Sequence, residues 1–146
     1  MDAPGFYTLG DFSLTVAQAY APTPGQELTG LDGMLSATVE LDFVYGSGGG
    51  SGVAYVQTSL DQANEGGAVS GTWIDIAAMS FTTASKAKVY NFSALTPVSA
   101  VTPTDGAMTP DTQQDGVLGD RLRVKVVTAS TAYATLTRLS GRVAVR

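Results

Sequence analysis

The chain has 146 residues, contains neither histidine nor cysteine, and carries a net charge of −5. A chain of this length is expected to form one domain and to bury a sizeable core without disulfides. The missing residue types exclude Ser–His and Cys–His nucleophile systems and zinc sites with thiolate or imidazole ligands. We therefore expect no enzymatic activity, no cofactor and no metal.

Neither end nor interior carries a recognisable targeting or membrane segment. Residues 1–10 lack the basic and apolar regions of a signal peptide, and no apolar run reaches the roughly 18 residues that a spanning helix needs. Synthesis in the cytoplasm and no membrane partner are expected. Charge is unevenly distributed, because all eight basic residues follow position 85 whereas nine of the 13 acidic residues precede it.

Short alternating segments separated by glycine and proline predict an all-β protein. Residues 1–10 show no clear alternation, and we expect an N-terminal arm whose Phe6, Tyr7 and Leu9 bind a neighbouring molecule. Residues 11–146 are then expected to form the β-sandwich domain.

Alternation of apolar and polar residues defines the predicted strands in chain order. In the best example Val39, Leu41 and Phe43 point inward, and residues 86–93 place Val89 and Phe92 near the core. About eight strands in a single domain predict a two-sheet β-sandwich, of which the jelly roll is one form. The predicted strands cover residues 11–20, 37–45, 53–60, 72–77, 86–93, 97–101, 121–127 and 133–145, the last with a bulge near Gly141.

Two halves of an Asp-box-like turn flank the only tryptophan. Ser59-Leu-Asp61 and Gly71-Thr-Trp73 resemble the Ser-x-Asp-x-Gly-x-Thr-Trp hairpin motif, although residues 62–70 separate them here. In that motif the aspartate and serine bind backbone amides of the turn and the aromatic ring packs beneath, so Asp61 is expected to close the turn and Trp73 to cap the core. The alternative is a ligand loop in which Trp73 stacks on a sugar.

Three further groups of charged residues invite a chemical interpretation. Glu40 and Asp42 share the outer face of one strand, which indicates a solvated surface rather than a glycosidase pair. The aspartates of residues 105–120 are typical of Asx-capped turns, with calcium binding as the alternative. Arg121, Arg123 and Lys125 alternate along one strand and form a basic stripe. We expect this stripe to pair with the acidic N-terminal half, within the sheet or across a subunit boundary, rather than to bind nucleic acid.

Several longer segments resemble small structural proteins of tailed bacteriophages and prophages of alphaproteobacteria, from about Leu41 to the C-terminus. The segments are Tyr-Val-Gln-Thr-Ser-Leu-Asp (55–61), Trp-Ile-Asp-Ile-Ala (73–77), Asn-Phe-Ser-Ala-Leu-Thr-Pro (91–97) and Asp-Arg-Leu-Arg-Val-Lys-Val-Val-Thr (120–128). The longer segment at 62–70 departs from the short hairpin typical of those proteins.

This resemblance implies a virion component without enzymatic activity. The expected role is a capsid decoration or cement protein that binds the major capsid protein or other virion proteins as a homo-oligomer. The alternatives are a structural protein of the head–tail junction or tail tip, and a carbohydrate-binding β-sandwich module.

Overall fold

A computed structural model describes residues 3–15, 19–20, 27–31, 33–61, 72–129 and 133–146. Seven strands of eight or nine residues and one strand of two residues run through this part of the chain. No helix within it is long and apolar enough to cross a membrane. The strands are β1 (Gly5–Ser13), β2 (Ala19–Tyr20), β3 (Ser36–Val44), β4 (Gly52–Ser59), β5 (Trp73–Phe81), β6 (Lys86–Ser93), β7 (Arg121–Thr128) and β8 (Arg138–Val145).

The strands form two four-stranded sheets in which every neighbouring pair is antiparallel. Sheet A has the order β1-β8-β3-β6, and sheet B has the order β2-β7-β4-β5. The predicted all-β, two-sheet architecture is therefore confirmed, whereas the jelly roll stays a prediction. The two strands nearest the C-terminus, β7 and β8, occupy inner positions in the two sheets.

The core lies between the sheets and is built from the alternating apolar residues of the longer strands. Val39, Leu41 and Phe43 of β3 are fully buried, as are Leu122, Val124 and Val126 of β7, so these inward orientations are confirmed. The ring of Phe43 stacks on Phe81 at a centroid distance of 4.4 Å and meets Tyr133 edge-on at 5.6 Å. Aromatic packing thus joins sheet A, sheet B and the segment before β8.

The N-terminal region departs from its prediction. Strand β1 begins at Gly5, so residues 5–10 belong to sheet A rather than to a separate arm, and it ends at Ser13 rather than at residue 20. The pairing of β1 with β8 shifts between Thr8 and Gly10, opposite Gly141. The irregularity predicted near Gly141 therefore lies in β1, the strand that pairs with β8 at this point. An extra residue in β1 reverses which of its side chains face the core.

Two other strand predictions are wrong. Val89 is 60% exposed because it lies on the outer face of sheet A, while Tyr90 and Phe92 face inward. Residues 97–101 form no strand. Pro97 has no N–H to donate to a ladder, and the segment belongs to the long connection between β6 and β7.

This β6–β7 loop (residues 94–120) closes the side of the sandwich where β5 and β6 form the sheet edges. Backbone hydrogen bonds join the loop to the edge of β5, among them the N–H of Ala78 to the carbonyl of Thr112 at 3.1 Å and the N–H of Gln114 to the carbonyl of Ile76 at 2.8 Å. The Gln113 side-chain amide donates to the Asn91 carbonyl of β6. The loop therefore satisfies backbone groups that an open sheet edge would expose.

Candidate functional site

The outer face of sheet B carries a buried polar layer beneath the β6–β7 loop. Gln57 and Ser59 of β4 are completely buried, Asp75 of β5 is 4% exposed, and Arg121 of β7 is 1% exposed. Buried polar groups of this kind are stable only when they are hydrogen-bonded. Their partners come mainly from the loop above them.

Asp75 is the centre of this layer. It holds the loop through its own backbone, because its N–H donates to the carbonyl of Thr104 at 2.9 Å. Its carboxylate accepts hydrogen bonds from five separate groups, so the buried charge is compensated by donors held in fixed positions. These donors are the Gln57 side-chain amide at 2.8 Å, the Thr104 hydroxyl at 2.9 Å, and the backbone amides of Gly106, Ala107 and Met108 at 2.9, 2.9 and 3.1 Å.

The predicted basic stripe lies inside this layer rather than on an open surface. Arg121 is fully buried and its Nη1 lies 3.8 Å from Glu27, while Arg123 and Lys125 approach Asp105 at 3.7 and 3.0 Å. These ion pairs form within one chain, and only Glu27 belongs to the acidic N-terminal half. The side chains of Arg121, Arg123 and Lys125 are 1, 13 and 20% exposed, and the partner-binding role of the stripe stays a prediction.

Asp105 connects the loop to the basic stripe. Burial alone would raise the pKa of Asp105, but hydrogen bonds from Gln57 and Lys125 outweigh that effect and hold the pKa below its usual value. Gln57 in turn accepts a hydrogen bond from Arg123 Nε at 2.7 Å. The same amide group therefore bridges Asp75, Asp105 and Arg123, which fixes its orientation.

Trp73 lies at the end of the polar layer and is only 5% exposed. The guanidinium groups of Arg123 and Arg121 lie 4.0 and 4.7 Å from the centre of its ring system. These cation–π contacts occupy the ring, so it is not free to stack on a sugar. The ring lies on the outer side of sheet B and is not among the residues of the main core cluster.

Asp61 closes the turn as the Asp-box-like pattern predicts. Its Oδ2 accepts a hydrogen bond from the N–H of Thr72 at 2.6 Å, and its own N–H donates to the Ser59 hydroxyl at 3.2 Å. The two halves of the split motif therefore meet across the insertion. The insertion itself, residues 62–70, lies outside the described residues.

Arg121 is the least satisfied polar side chain of the layer. Its Nε and Nη2 atoms are buried and have no hydrogen-bond partner among the described residues. Its charge is balanced by Glu27 and by the face of Trp73. A buried cation with two unused donors contributes little to stability, because desolvation offsets most of its attraction to a single carboxylate.

Two further aspartates hold the loop against β5 and β6. Asp111 accepts hydrogen bonds from Lys86 at 2.8 Å and from the Ser80 hydroxyl at 2.5 Å, and Lys88 lies 3.0 Å away. The hydrogen bond from Lys86, followed by that from Ser80, holds the pKa of Asp111 well below its usual range. Asp115 accepts from the backbone N–H of Ser93 at 2.7 Å, which lowers its pKa in the same direction.

Asp105, Asp111 and Asp115 accept hydrogen bonds from other segments of the chain rather than from the N–H two residues on that defines an Asx turn, so the Asx-turn interpretation does not describe these three residues. Asp115 also accepts from the N–H of Gly116, the residue that follows it, at 2.8 Å. Across the described parts of the chain, no three acidic side chains come together as metal ligands. The observed geometry is that of a loop fixed by hydrogen bonds.

Ser80 and Lys86 are the one pair here that resembles a nucleophile with a base. Lys86 Nζ lies 3.4 Å from the Ser80 hydroxyl, but it also donates to the Ser80 carbonyl and to Asp111, both at 2.8 Å. A general base must accept a proton, whereas this ammonium group is held as a donor by a carboxylate. The arrangement is therefore a clamp between β5, β6 and the loop.

The outer face of sheet A has no such cover among the described residues. Phe6 of β1 is 83% exposed and Val89 of β6 is 60% exposed, and they flank an open groove of about 550 Å³. Three strand spacings of about 4.8 Å separate β1 from β6, so the groove is roughly 14 Å wide. Its lining consists of Phe6, Tyr7, Thr8, Thr38, Glu40, Val89, Arg142, Val143 and Ala144.

This face contains part of the predicted partner-binding set and part of the predicted solvated surface. Phe6 is exposed and Tyr7 is half-buried at the groove, but Leu9 is completely buried in the core rather than exposed at this face. Glu40 is exposed beside the groove, as the solvated-face interpretation predicts. Sequence reasoning missed Val89 as a surface residue, and it missed Asp75 altogether.

No protein-family model, curated protein or solved structure matches this chain.

Proposed function

We propose that this chain is a non-enzymatic structural protein of a tailed-phage virion, with a capsid decoration protein that binds the major capsid protein as the specific role. The observation that carries the proposal is the division of the surface. The outer face of sheet B is covered by the β6–β7 loop, which carboxylates of the chain hold in place. The outer face of sheet A presents an apolar groove between Phe6 and Val89.

The chemistry of the described residues supports a binding role. The buried carboxylate Asp75 and the clamped Asp111 accept hydrogen bonds from fixed donors. Each is used to fix the loop, and neither is aimed at open space where a substrate could react. A rigid face of this kind serves an assembly in which many identical copies each add a modest contact.

The resemblance of residues 41–146 to phage structural proteins supports the choice of a virion. Edge strands and open faces of β-sandwiches are suited to bind a neighbouring lattice subunit, because the sheet presents side chains at fixed spacings. Among the apolar residues of the groove, the exposed Val89 lies farthest from β1. We assign Val89 to the capsid contact.

Immunogold labelling of virions from a prophage that encodes this chain tests the proposal. Gold over the whole head surface is the expected result. Labelling confined to necks or tail tips would replace the decoration role by the head–tail or tail-tip alternative, and unlabelled virions would overturn the virion assignment.

A binding measurement tests the face itself. Purified protein is mixed with capsids that lack it, and the bound fraction is measured by co-sedimentation. Val89→Lys is expected to weaken binding at least about tenfold, which corresponds to roughly 1.4 kcal/mol. Leu95→Lys changes a residue of similar exposure, 69%, outside the groove and serves as the matched control. Equal binding by both variants would exclude the groove as the capsid contact.

A further inference from the structure

Among the described residues, the chain itself covers the edge of β5, part of the edge of β6 and, beyond the two-residue strand β2, part of β7. The β6–β7 loop pairs with β5 and contacts β6. The edge of β7 pairs with β2 and then with residues 28–31, through reciprocal bonds between Leu28 and Leu122 and a bond from the Leu31 N–H to the Asp120 carbonyl. Strand β1 is the exception, because no described residue pairs with the backbone groups that point away from β8.

The unpaired edge of β1 has few of the features that prevent association. Its nine residues include no lysine and no proline, and the first four, Gly5–Thr8, are uncharged. Phe6 projects from this segment and is 83% exposed. Only the irregularity between Thr8 and Gly10 interrupts the edge, so the regular part available for pairing is Gly5–Thr8.

We propose that β1 pairs antiparallel with β1 of a second copy of this chain, joining the two sheets A into one eight-stranded sheet. The pairing is isologous, since the same segment contributes from both sides of a two-fold axis. It does not depend on the virion role, because a dimer of this kind can form in the purified protein.

Charge and shape favour a second copy as the occupant. The segment Gly5–Thr8 brings no charge to the contact, and the charged side chains beside it in the described residues, Arg142 and Asp11, are paired with each other at 3.2 Å. The Gly5–Thr8 segments of two copies can therefore meet without opposing carboxylates.

The register follows from the faces of the strand. Directly opposed residues must lie on the same face of the sheet, and an axis through Tyr7 places Phe6 opposite Thr8 of the second copy. Within each chain the Thr8 hydroxyl accepts a hydrogen bond from Arg142 at 3.2 Å. The Phe6 ring of one copy then reaches the Arg142 guanidinium of the other copy. This cation–π contact covers a ring that is otherwise exposed.

Sedimentation of the purified chain tests the association. The wild-type chain is expected to form a dimer, and Phe6→Lys to weaken dimerisation at least about tenfold, since a charge on an edge strand opposes pairing. Leu95→Lys, at a residue that is 69% exposed and outside the groove, is expected to dimerise like wild type. Circular dichroism checks that each variant keeps its fold.

Disulfide crosslinking tests the register, because the chain has no cysteine of its own. A mixture of the Phe6→Cys and Thr8→Cys variants is expected to crosslink, since opposed Cβ atoms lie about 4.5–5.5 Å apart, close to disulfide range. Asn91→Cys on the opposite edge strand is expected to remain uncrosslinked. A monomer at concentrations up to about 1 mM, a dimer unaffected by Phe6→Lys, or crosslinks through residue 91 would each overturn the proposal.

Discussion

Replacing Asp75 by asparagine tests whether the buried carboxylate holds the β6–β7 loop. One carboxylate oxygen accepts from Gln57 and Gly106, and the other accepts from four donors that include Thr104. Asparagine would place an NH₂ group against one of these two sets. Gln57 cannot turn its amide to compensate without losing its bond to Arg123.

The expected cost is large for a substitution of nearly equal volume. At least one hydrogen bond to a charged acceptor is lost, and the others become bonds to a neutral group, which together cost about 3 kcal/mol or more. For a chain of this size that loss corresponds to a decrease in melting temperature of at least about 6–12 °C.

Urea denaturation measures the free energy of unfolding, and hydrogen exchange reports the loop directly. In the variant, the amides of Gly106, Ala107 and Met108 are expected to exchange much faster than in wild type. Asp42→Asn is the matched control, because Asp42 lies on the outer face of sheet A with no partner among the described residues, and we expect it to change stability by less than about 0.5 kcal/mol. Equal stabilities of the two variants, with residues 106–108 still protected, would refute the role of Asp75.

Three further predictions concern pH and packing. Lys86 lowers the folded-state pKa of Asp111, so the stabilising contribution of Asp111 is present above the ordinary pKa of 3.8 and is lost as the pH falls below that value. Asp111→Asn should therefore reduce the decrease in the free energy of unfolding at acid pH. Burial raises the pKa of Tyr90 from 10.0 to about 12, so stability should fall as the pH rises through that interval, and Tyr90→Phe should reduce this fall in urea titrations. Gly119→Ala would place a methyl group against the Ser59 carbonyl, well inside contact distance, and should cost about 3 kcal/mol; an unchanged urea midpoint would contradict this close approach.

The strands that sequence patterns predicted well are those with uninterrupted alternation. β3 carries four inward apolar residues and β7 carries three, each set at a spacing of two, and burial on one face fixes their register. Residues 5–10 of β1 were not predicted as strand because the inward residues of β1 change phase, with Tyr7 and Leu9 before the irregularity and Phe12 after it. A bulge breaks the period that identifies a strand, and a single sequence offers no other signal for it.

The polar layer could be anticipated only in part. The basic stripe was found by alternation, but its burial depends on Trp73 and on a loop residue, Asp105, and no local pattern reports these contacts. Asp75 did have a signal, since it is the only charged residue of the apolar strand Trp73–Phe81. Such a residue is expected either at an open surface or beneath a partner, and here the partner is residues 104–108.

The inner positions of β7 and β8 have a consequence for biosynthesis. Until these last strands leave the ribosome, β1 and β2 have no neighbour to pair with, and only the β3–β6 and β4–β5 pairs can form. Folding is therefore expected to wait until residues 121–145 have left the ribosome, as is common when contacts join distant parts of a sequence. A premature stop before Arg121 would leave a product with two unjoined strand pairs, prone to aggregation through its exposed edges.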